Sequence, residues 1–261
     1  MLIFPILIPS KGRPQCKTAK LLKDVGADKY LFVEPQDKES YEATAKENGF
    51  KLVVLPENNG GVAYVRELIR QFGTNELDSP WYWMMDDDIQ RFSKTEADGK
   101  LRKVHPTIAL TDAQEIITKH QNIAIGALTF GQYAFGEGVI KKPFQFNKRV
   151  IACTLHNAKA NRGVAYDLQC ALKEDIDYTI QILKAGYSTM ILNQIAISVP
   201  SASSLKGGCY DEYQRNRQNR EKRICQYLQD KWGKDIVMIK MKDAGIWDVK
   251  LNYEKLSRRS T

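Results

Sequence analysis

Residues 81–92, WYWMMDDDIQRF, set five apolar or aromatic side chains directly against Asp86, Asp87 and Asp88 before the apolar pattern resumes at Ile89. The first five residues read as a buried strand. Three adjacent carboxylates at its end repel one another and destabilise the fold unless a positive group sits among them. Asp86 and Asp88 are two apart, so in an extended segment they project to the same side. A set of oxygen ligands with no His or Cys nearby selects a hard cation such as Mg²⁺ or Mn²⁺ over zinc. A solvated acidic turn is the competing reading for this tripeptide alone, and its neighbours decide between them.

Upstream of the aspartates the chain alternates strand and helix patterns. Leu2–Ile8 is an apolar strand followed by the loop Pro9-Ser10-Lys11-Gly12-Arg13-Pro14. A helix over 16–25 stops at Gly26. Tyr30–Val33 is a strand, 40–48 a helix closed by Gly49, and Phe50–Leu55 a third strand ahead of Asn58-Asn59-Gly60-Gly61. Val62, Val65, Leu68, Ile69 and Phe72 then recur at helical spacing. This rhythm predicts a parallel sheet with helices on both faces, whose ligands bind beyond the carboxyl ends of the strands. The aspartates, the SKGRP loop and the NNGG loop all fall on that edge. Further on, 123–130, 149–155 and 189–197 read as strands, 176–185 as a helix and 210–232 as a long helix rich in arginine. Residues 247–253 alternate like a half-buried strand. No repeat or long linker divides the chain, so the expectation is a core over 1–200 and a basic extension of the same domain over 201–261.

At 261 residues and 43% hydrophobic composition the chain suits one sizeable globular α/β domain. No apolar run reaches the roughly 18–20 residues of a membrane span, and the N-terminal MLIFPILIPS, broken by Pro5 and Pro9, reads as a first strand rather than a signal peptide. Five cysteines without a CxxC pair argue for free thiols in a cytoplasmic setting. The formal charge of +8 is uneven: residues 201–261 carry 14 Lys/Arg against 8 Asp/Glu. That bias suggests an acidic partner such as nucleic acid, although a charged face serves solubility equally well.

IPSKGRP (8–14), FVEP (32–35), NNGGVAYVRELI (58–69), WMMDDDI (83–89) and the acid-opened helix LKEDIDYTIQILKAGY (172–187), in that order, resemble a GT-A glycosyltransferase with its DxD and xED motifs. PSKGRP, FVEPQDKESY and the late Gly207-Gly208-Cys209-Tyr210 resemble, more narrowly, bacteriophage glycosyltransferases associated with TET-type DNA hydroxylases, thought to add sugars to hydroxymethylated pyrimidines in phage DNA. The resemblance implies a Rossmann-like, mixed and mostly parallel sheet flanked by helices, here with a basic C-terminal helix and strand. It also implies Mn²⁺ or Mg²⁺ held by Asp88 directly and by Asp86, which could instead reach the ribose. A UDP-sugar donor would lie among Pro9, Ser10, Arg13, Glu34, Arg66, Asp86 and Asp87, although Asp87 has no distinct role. Arg66 would reach the phosphates or steady the aspartates. Lys206, Gly207 and Gly208 would close over the diphosphate. Asp175 would be the general base of an inverting reaction, with Glu174 beside it and Asp177 structural or in reserve. Helix capping alone also favours acids at 174–177. The family pattern often supplies a later metal-binding histidine, and none follows His156 here; Asn193, Ser198, Asp211 or water are the candidates for that place.

The acceptor is the least determined part. Arg215, Arg217 and Arg220 on the basic helix are candidates for DNA phosphates and Tyr133 in the aromatic loop 130–135 for an extruded base; His105, His120 and His156 read first as structural or exposed, and of them only His156 is also a candidate for the acceptor. Three activities compete: sugar transfer to hydroxymethylated DNA, sugar transfer to a protein or glycan, and a Mg²⁺-dependent nuclease or nucleotidyltransferase. The last leaves the GRP, FVEP and NNGG loops without a task.

Overall fold

The computed structural model describes residues 2–201, 206–208, 210, 217–242 and 245–257, with backbone alone for Arg217 and Ser257. The alternation read from the first half is present: β1 (Ile6–Pro9), α1 (Lys17–Leu21), β2 (Lys29–Val33), α2 (Lys38–Glu47), β3 (Lys51–Val54), α3 (Val62–Asn75) and β4 (Trp81–Met85). β4 shows why the sequence folds this way. Trp81, Trp83 and Met85 enter the core on one face of the sheet with Leu22, Tyr41 and Leu110, and Tyr82 and Met84 enter the other with Ile69 and Tyr178. A strand buried on both faces needs an unbroken apolar run, and WYWMM supplies it.

The second half continues with β5 (Arg91–Thr95), β6 (Leu101–Val104), α4 (Pro106–Lys119), β7 (Ile123–Phe130), α5 (Glu137–Lys141), β8 (Phe144–Phe146), β9 (Cys153–Asn157), α6 (Glu174–Lys184) and β10 (Ser188–Ser198). It closes with α7 (Arg217–Trp232), β11 (Val237–Met241), β12 (Trp247–Leu251) and α8 (Tyr253–Ser257). The main sheet runs β3-β2-β1-β4-β9-β7-β10-β5-β6, with β8 also on β10. Only β9, β5 and β8 oppose the common direction, so the fold is the α/β class with a mixed, mostly parallel sheet. β1, β2, β3 and β4 are mutually parallel, which brings the loops after Pro9, Val33, Val54 and Met85 to one edge.

Two expectations are corrected. The strand expected over 149–155 begins only at Cys153, because Ala152 takes a left-handed φ of 66° that breaks the extended run. Residues 149–151 are thereby freed to form the site wall. The strand expected over 247–253 ends at Leu251, and Tyr253 opens α8. β11 and β12 form a separate antiparallel pair that packs with α7 and α8 against α6 in a third apolar cluster. Among the described residues no helix is long and apolar enough to cross a membrane.

Candidate active site

The loops at the carboxyl ends of the parallel strands surround a cavity of about 670 Å³, within the range of small-ligand sites. Its walls carry six carboxylates, from Glu34, Asp86, Asp87, Asp88, Glu174 and Asp175, against four cations, from Lys11, Arg13, Arg66 and Arg149. Pro9, Ser10, Gly208 and Tyr210 also line it.

The aspartates are held first through their backbone. Thr18, in the first turn of α1, donates its hydroxyl to the Asp86 carbonyl at 2.7 Å, accepts the Ile89 amide at 2.9 Å, and donates its own amide to the Asp87 carbonyl at 3.1 Å. The three side chains then take different partners. Asp86 pairs with Arg66 Nη2 at 3.0 Å. Asp87 is buried and uses both oxygens, accepting Ser10 Oγ at 2.5 Å and Arg13 Nη1 at 2.7 Å. Asp88 has Arg13 Nη1 at 3.4 Å. Burial pushes all three carboxyl groups up, Asp88 to about 6 with Asp86 and Asp87 adding to the effect. Asp88 is thus the least compensated of the three, with its side chain 24% exposed.

Arg66 links the two acidic motifs, since its Nη1 lies 3.1 Å from Glu174 Oε1 while Nη2 holds Asp86. Burial holds Glu174 well above the ordinary carboxylate range, against the pull of Arg66. Arg66 Nε and Glu174 Oε2 have no hydrogen-bond partner, which marks a polar centre left open within the protein. Asp175, next along the chain, accepts from Arg149 Nε. Leu172, ahead of this helix, has a left-handed φ of 69°, a conformation costing about 1–2 kcal/mol outside glycine. Such strain gathers where the backbone must aim a side chain.

Arg13 joins the aspartates to the late glycines. Its Nε donates to the Lys206 carbonyl at 2.9 Å and its Nη2 to the Gly207 carbonyl at 3.2 Å, and Gly208 donates its amide to the Lys11 carbonyl at 2.8 Å. Gly207 has a φ of +82°, and a Cβ there would stand 2.7 Å from the Lys11 carbonyl oxygen. Gly207→Ala should therefore lift this strap off the SKGRP loop, so that the Gly208 amide, released from the Lys11 carbonyl, exchanges at least tenfold faster in hydrogen-exchange measurements. Glu34 is buried and accepts from Lys11 Nζ at 3.0 Å and Gln36 Nε2 at 2.7 Å. Lys11, Thr18 and Arg149 are not among the expected site residues: Lys11 stands in the SKGRP loop with no role of its own assigned, Thr18 and Arg149 stand in no motif, and only the fold brings them together.

Several expected residues lie elsewhere. His156 is 1% exposed; its Nε2 pairs with Thr154 Oγ1 at 2.8 Å and its Nδ1 with Asn161 Oδ1 at 3.3 Å, behind the site, so it does not meet an acceptor. Burial depresses its imidazole to about 4. Stability from the neutral ring is complete above about pH 6.5 and is lost as pH falls towards 4, by up to about 3 kcal/mol. His156→Gln should flatten the stability–pH curve over that window in urea titrations. Tyr133 is exposed on the turn after β7, where Phe130 and Gln132, not Tyr133, line the cavity. Asn193 is committed to Lys142 and Gln145 at 2.7 Å each, and Ser198 accepts from Arg91 at 3.4 Å, so neither completes a metal shell. Arg220 is half-buried on α7. Arg215, Asp211 and the side chain of Arg217 lie outside the described residues.

The donor set suits a hard divalent cation. Six carboxylates outnumber four cations around the cavity, and the raised Asp88 and Glu174 carboxyl groups register that crowding, which a bound divalent cation would relieve. Asp86 and Asp88 are the residues that would hold it. Asp167, Cys170 and Asp177 also bring ligand atoms within 4.8 Å of one another. There Lys231 Nζ stands 2.7 Å from Asp167 and 2.9 Å from Asp177, so a lysine is already the cation.

No curated protein matches the chain significantly. Solved structures that it resembles include the galactosyltransferase LgtC with donor and acceptor sugar analogs, at a TM-score of 0.40 and 13% identity over 72% of each chain. Another is the inositol-1-phosphate CTP transferase of T. maritima, at a TM-score of 0.47 and 11% identity over 81% of this chain and 95% of that one. The decisive match is to a family model, that of the TET-associated glycosyltransferases, which spans residues 4–208 and so takes in both acidic motifs, the late glycines and the cavity lining except Tyr210. The chain belongs to the TET-associated glycosyltransferase family.

Proposed function

We propose that this glycosyltransferase moves a sugar from a UDP-sugar to a hydroxymethylated pyrimidine in DNA, with inversion at the anomeric carbon. The observation that carries the reading is the cavity's acidity: six carboxylates against four cations line it, and Asp88, after the carboxyl end of β4, is the least compensated of the three adjacent aspartates. Asp86 and Asp88 would hold Mn²⁺ or Mg²⁺, which when bound neutralises the charge growing on the departing nucleoside diphosphate. Pro9, Ser10, Arg13 and Glu34 would frame the nucleoside end. Arg66 holds Asp86 in place, and Asp87 holds Arg13. Lys206, Gly207 and Gly208 cover the diphosphate through the Arg13 contacts. Asp175 takes the proton from the acceptor hydroxyl as its oxygen attacks the anomeric carbon and the bond to the diphosphate breaks. The hexose or pentose identity of the sugar follows from pocket shape.

Arg215, Arg217 and Arg220 would meet the DNA backbone, and Tyr133, exposed on the turn after β7, an extruded base. Residues 201–261 extend the core formed by 1–200, and the enzyme works in the cytoplasm, that of the host if a phage encodes it. The test supplies Mn²⁺, pooled UDP-sugars and DNA with or without 5-hydroxymethylcytosine, and follows UDP release together with nucleoside mass. A hexose- or pentose-sized gain on the modified base is expected. UDP release without a DNA adduct moves the acceptor to a protein or glycan. Shortened DNA without UDP release replaces the transferase with a nuclease.

A further inference from the structure

The first turn of α6 has two sides. Glu174 and Asp175 line the cavity, while Asp177 is wholly buried on the opposite side and accepts Trp232 Nε1 of α7 at 2.7 Å and Lys231 Nζ at 2.9 Å. Lys173, immediately before the helix, is buried and paired at 3.0 Å with Asp248 of β12. Asp248 also meets Lys242 at 2.7 Å. Below these polar ties, Ile176, Ile180 and Leu183 of α6 pack with Ile224, Leu228 and Leu251 of the C-terminal elements.

The same elements reach the partner of Asp175. The Arg149 amide donates to the Tyr253 hydroxyl at 3.2 Å, and Lys148 Nζ lies 4.4 Å from the Tyr253 ring centroid. Asp175 is thus constrained twice from the C-terminal side: through the backbone of its own helical turn and through the loop that carries Arg149. Desolvating charges such as Lys173, Asp248 and Asp177 is unfavourable compared with an apolar contact. Directional ion pairs and hydrogen bonds of this kind impose one fixed geometry, which apolar packing alone does not. The family match ends at residue 208, so Trp232, Asp248 and Tyr253 stand beyond it while their partners Asp177, Lys173 and Arg149 stand within it.

We infer that the unit formed by α7, β11, β12 and α8 is a positioning device that fixes the first turn of α6, and through it the carboxylate of Asp175, with Trp232, Asp248 and Tyr253 as its positioning residues. The inference deepens the proposed function and rests on it for the role of Asp175. It gives the C-terminal extension a task distinct from gripping DNA.

Trp232→Phe keeps the ring packing and removes the indole N–H, and Tyr253→Phe removes the hydroxyl that receives the Arg149 amide. Both are made in the full chain. The amides of Ile176 and Asp177 donate to the Lys173 carbonyl, so their hydrogen exchange reports the turn directly. In Trp232→Phe they should exchange at least tenfold faster while β4 and β7 keep their protection. Each variant should lose about tenfold in kcat, with the donor KM within twofold of wild type. Unchanged exchange at 176–177 in Trp232→Phe overturns the inference. So does an increase in the KM for DNA with kcat intact, which would assign the unit to acceptor binding. If the wild-type enzyme transfers to no acceptor, the proposed function fails, and the exchange measurement still decides whether the unit fixes the turn.

Discussion

Replacing Asp88 by asparagine should give a protein that melts higher than wild type in the absence of divalent metal and transfers no measurable sugar. Asp88 lies among carboxylates whose partners are already taken, and its carboxyl is pushed to about 6 from an ordinary 3.8 by burial first and by Asp86 and Asp87 next. A group whose folded value is raised stabilises the fold only while protonated, so wild-type stability falls as pH rises from about 4 to 6. Above that window the cost is complete, about 1–3 kcal/mol. Asparagine removes the charge at nearly the same volume. The gain should appear at pH 8 in EDTA as a rise of several degrees in melting temperature. On the proposed function, activity should move the other way, by about three orders of magnitude or more, because the variant would lose a ligand for the cation that accompanies the diphosphate. Wild type should also gain stability from UDP with Mn²⁺, and the variant should not. A variant that melts lower and turns over normally would remove Asp88 from the metal site and the metal from the reading.

The balance between stability and activity at Asp88 also explains how much of the site could be read in advance. WYWMM followed by three acids could be placed because a strand buried on both faces has an unmistakable apolar run, and because parallel strands carry their loops to one edge. Glu174 and Asp175 could be placed beside them only through the resemblance. The hairpin of β5 and β6 was missed: RFSKT and LRKV are short, charged and half-exposed, which leaves little periodicity. α4 was missed although Pro106 stands at its first turn, a common starting signal. Arg149 could not be foreseen, since its position depends on the left-handed turn at Ala152 within a run of strand-forming residues. Of the two readings of His156, structural or facing the acceptor, its place in the sheet favours the first. A histidine near a strand end reads as accessible, but β9 inserts between β4 and β7, and its ring stacks 5.1 Å from Tyr82. Lone polar residues take their meaning from neighbours distant in sequence, whereas apolar periodicity is local.

Asp175→Asn should lower kcat by about a thousandfold while leaving donor affinity in place, within the usual range for loss of a positioned base. The substitution preserves volume and leaves the Asp86–Arg66–Glu174 chain of contacts untouched, so stabilisation by UDP with Mn²⁺ should match wild type. Glu174→Gln should behave differently. Glu174 meets Arg66, and Arg66 in turn holds Asp86, so its loss should weaken metal-dependent donor binding and raise the donor KM. Because burial holds the Glu174 carboxyl above its ordinary range, that variant should also melt at or above the wild-type temperature near neutral pH. On the proposed function the adjacent carboxylates are thus separable: one would act on the rate at saturating donor, the other on the donor concentration needed for saturation. Steady-state kinetics on 5-hydroxymethylcytosine DNA, with donor varied at saturating DNA, distinguishes them. If Glu174→Gln abolishes kcat and Asp175→Asn spares it, the proton goes to the buried carboxylate with the unpartnered oxygen. Arg149 would then serve only to hold Asp175 in the wall.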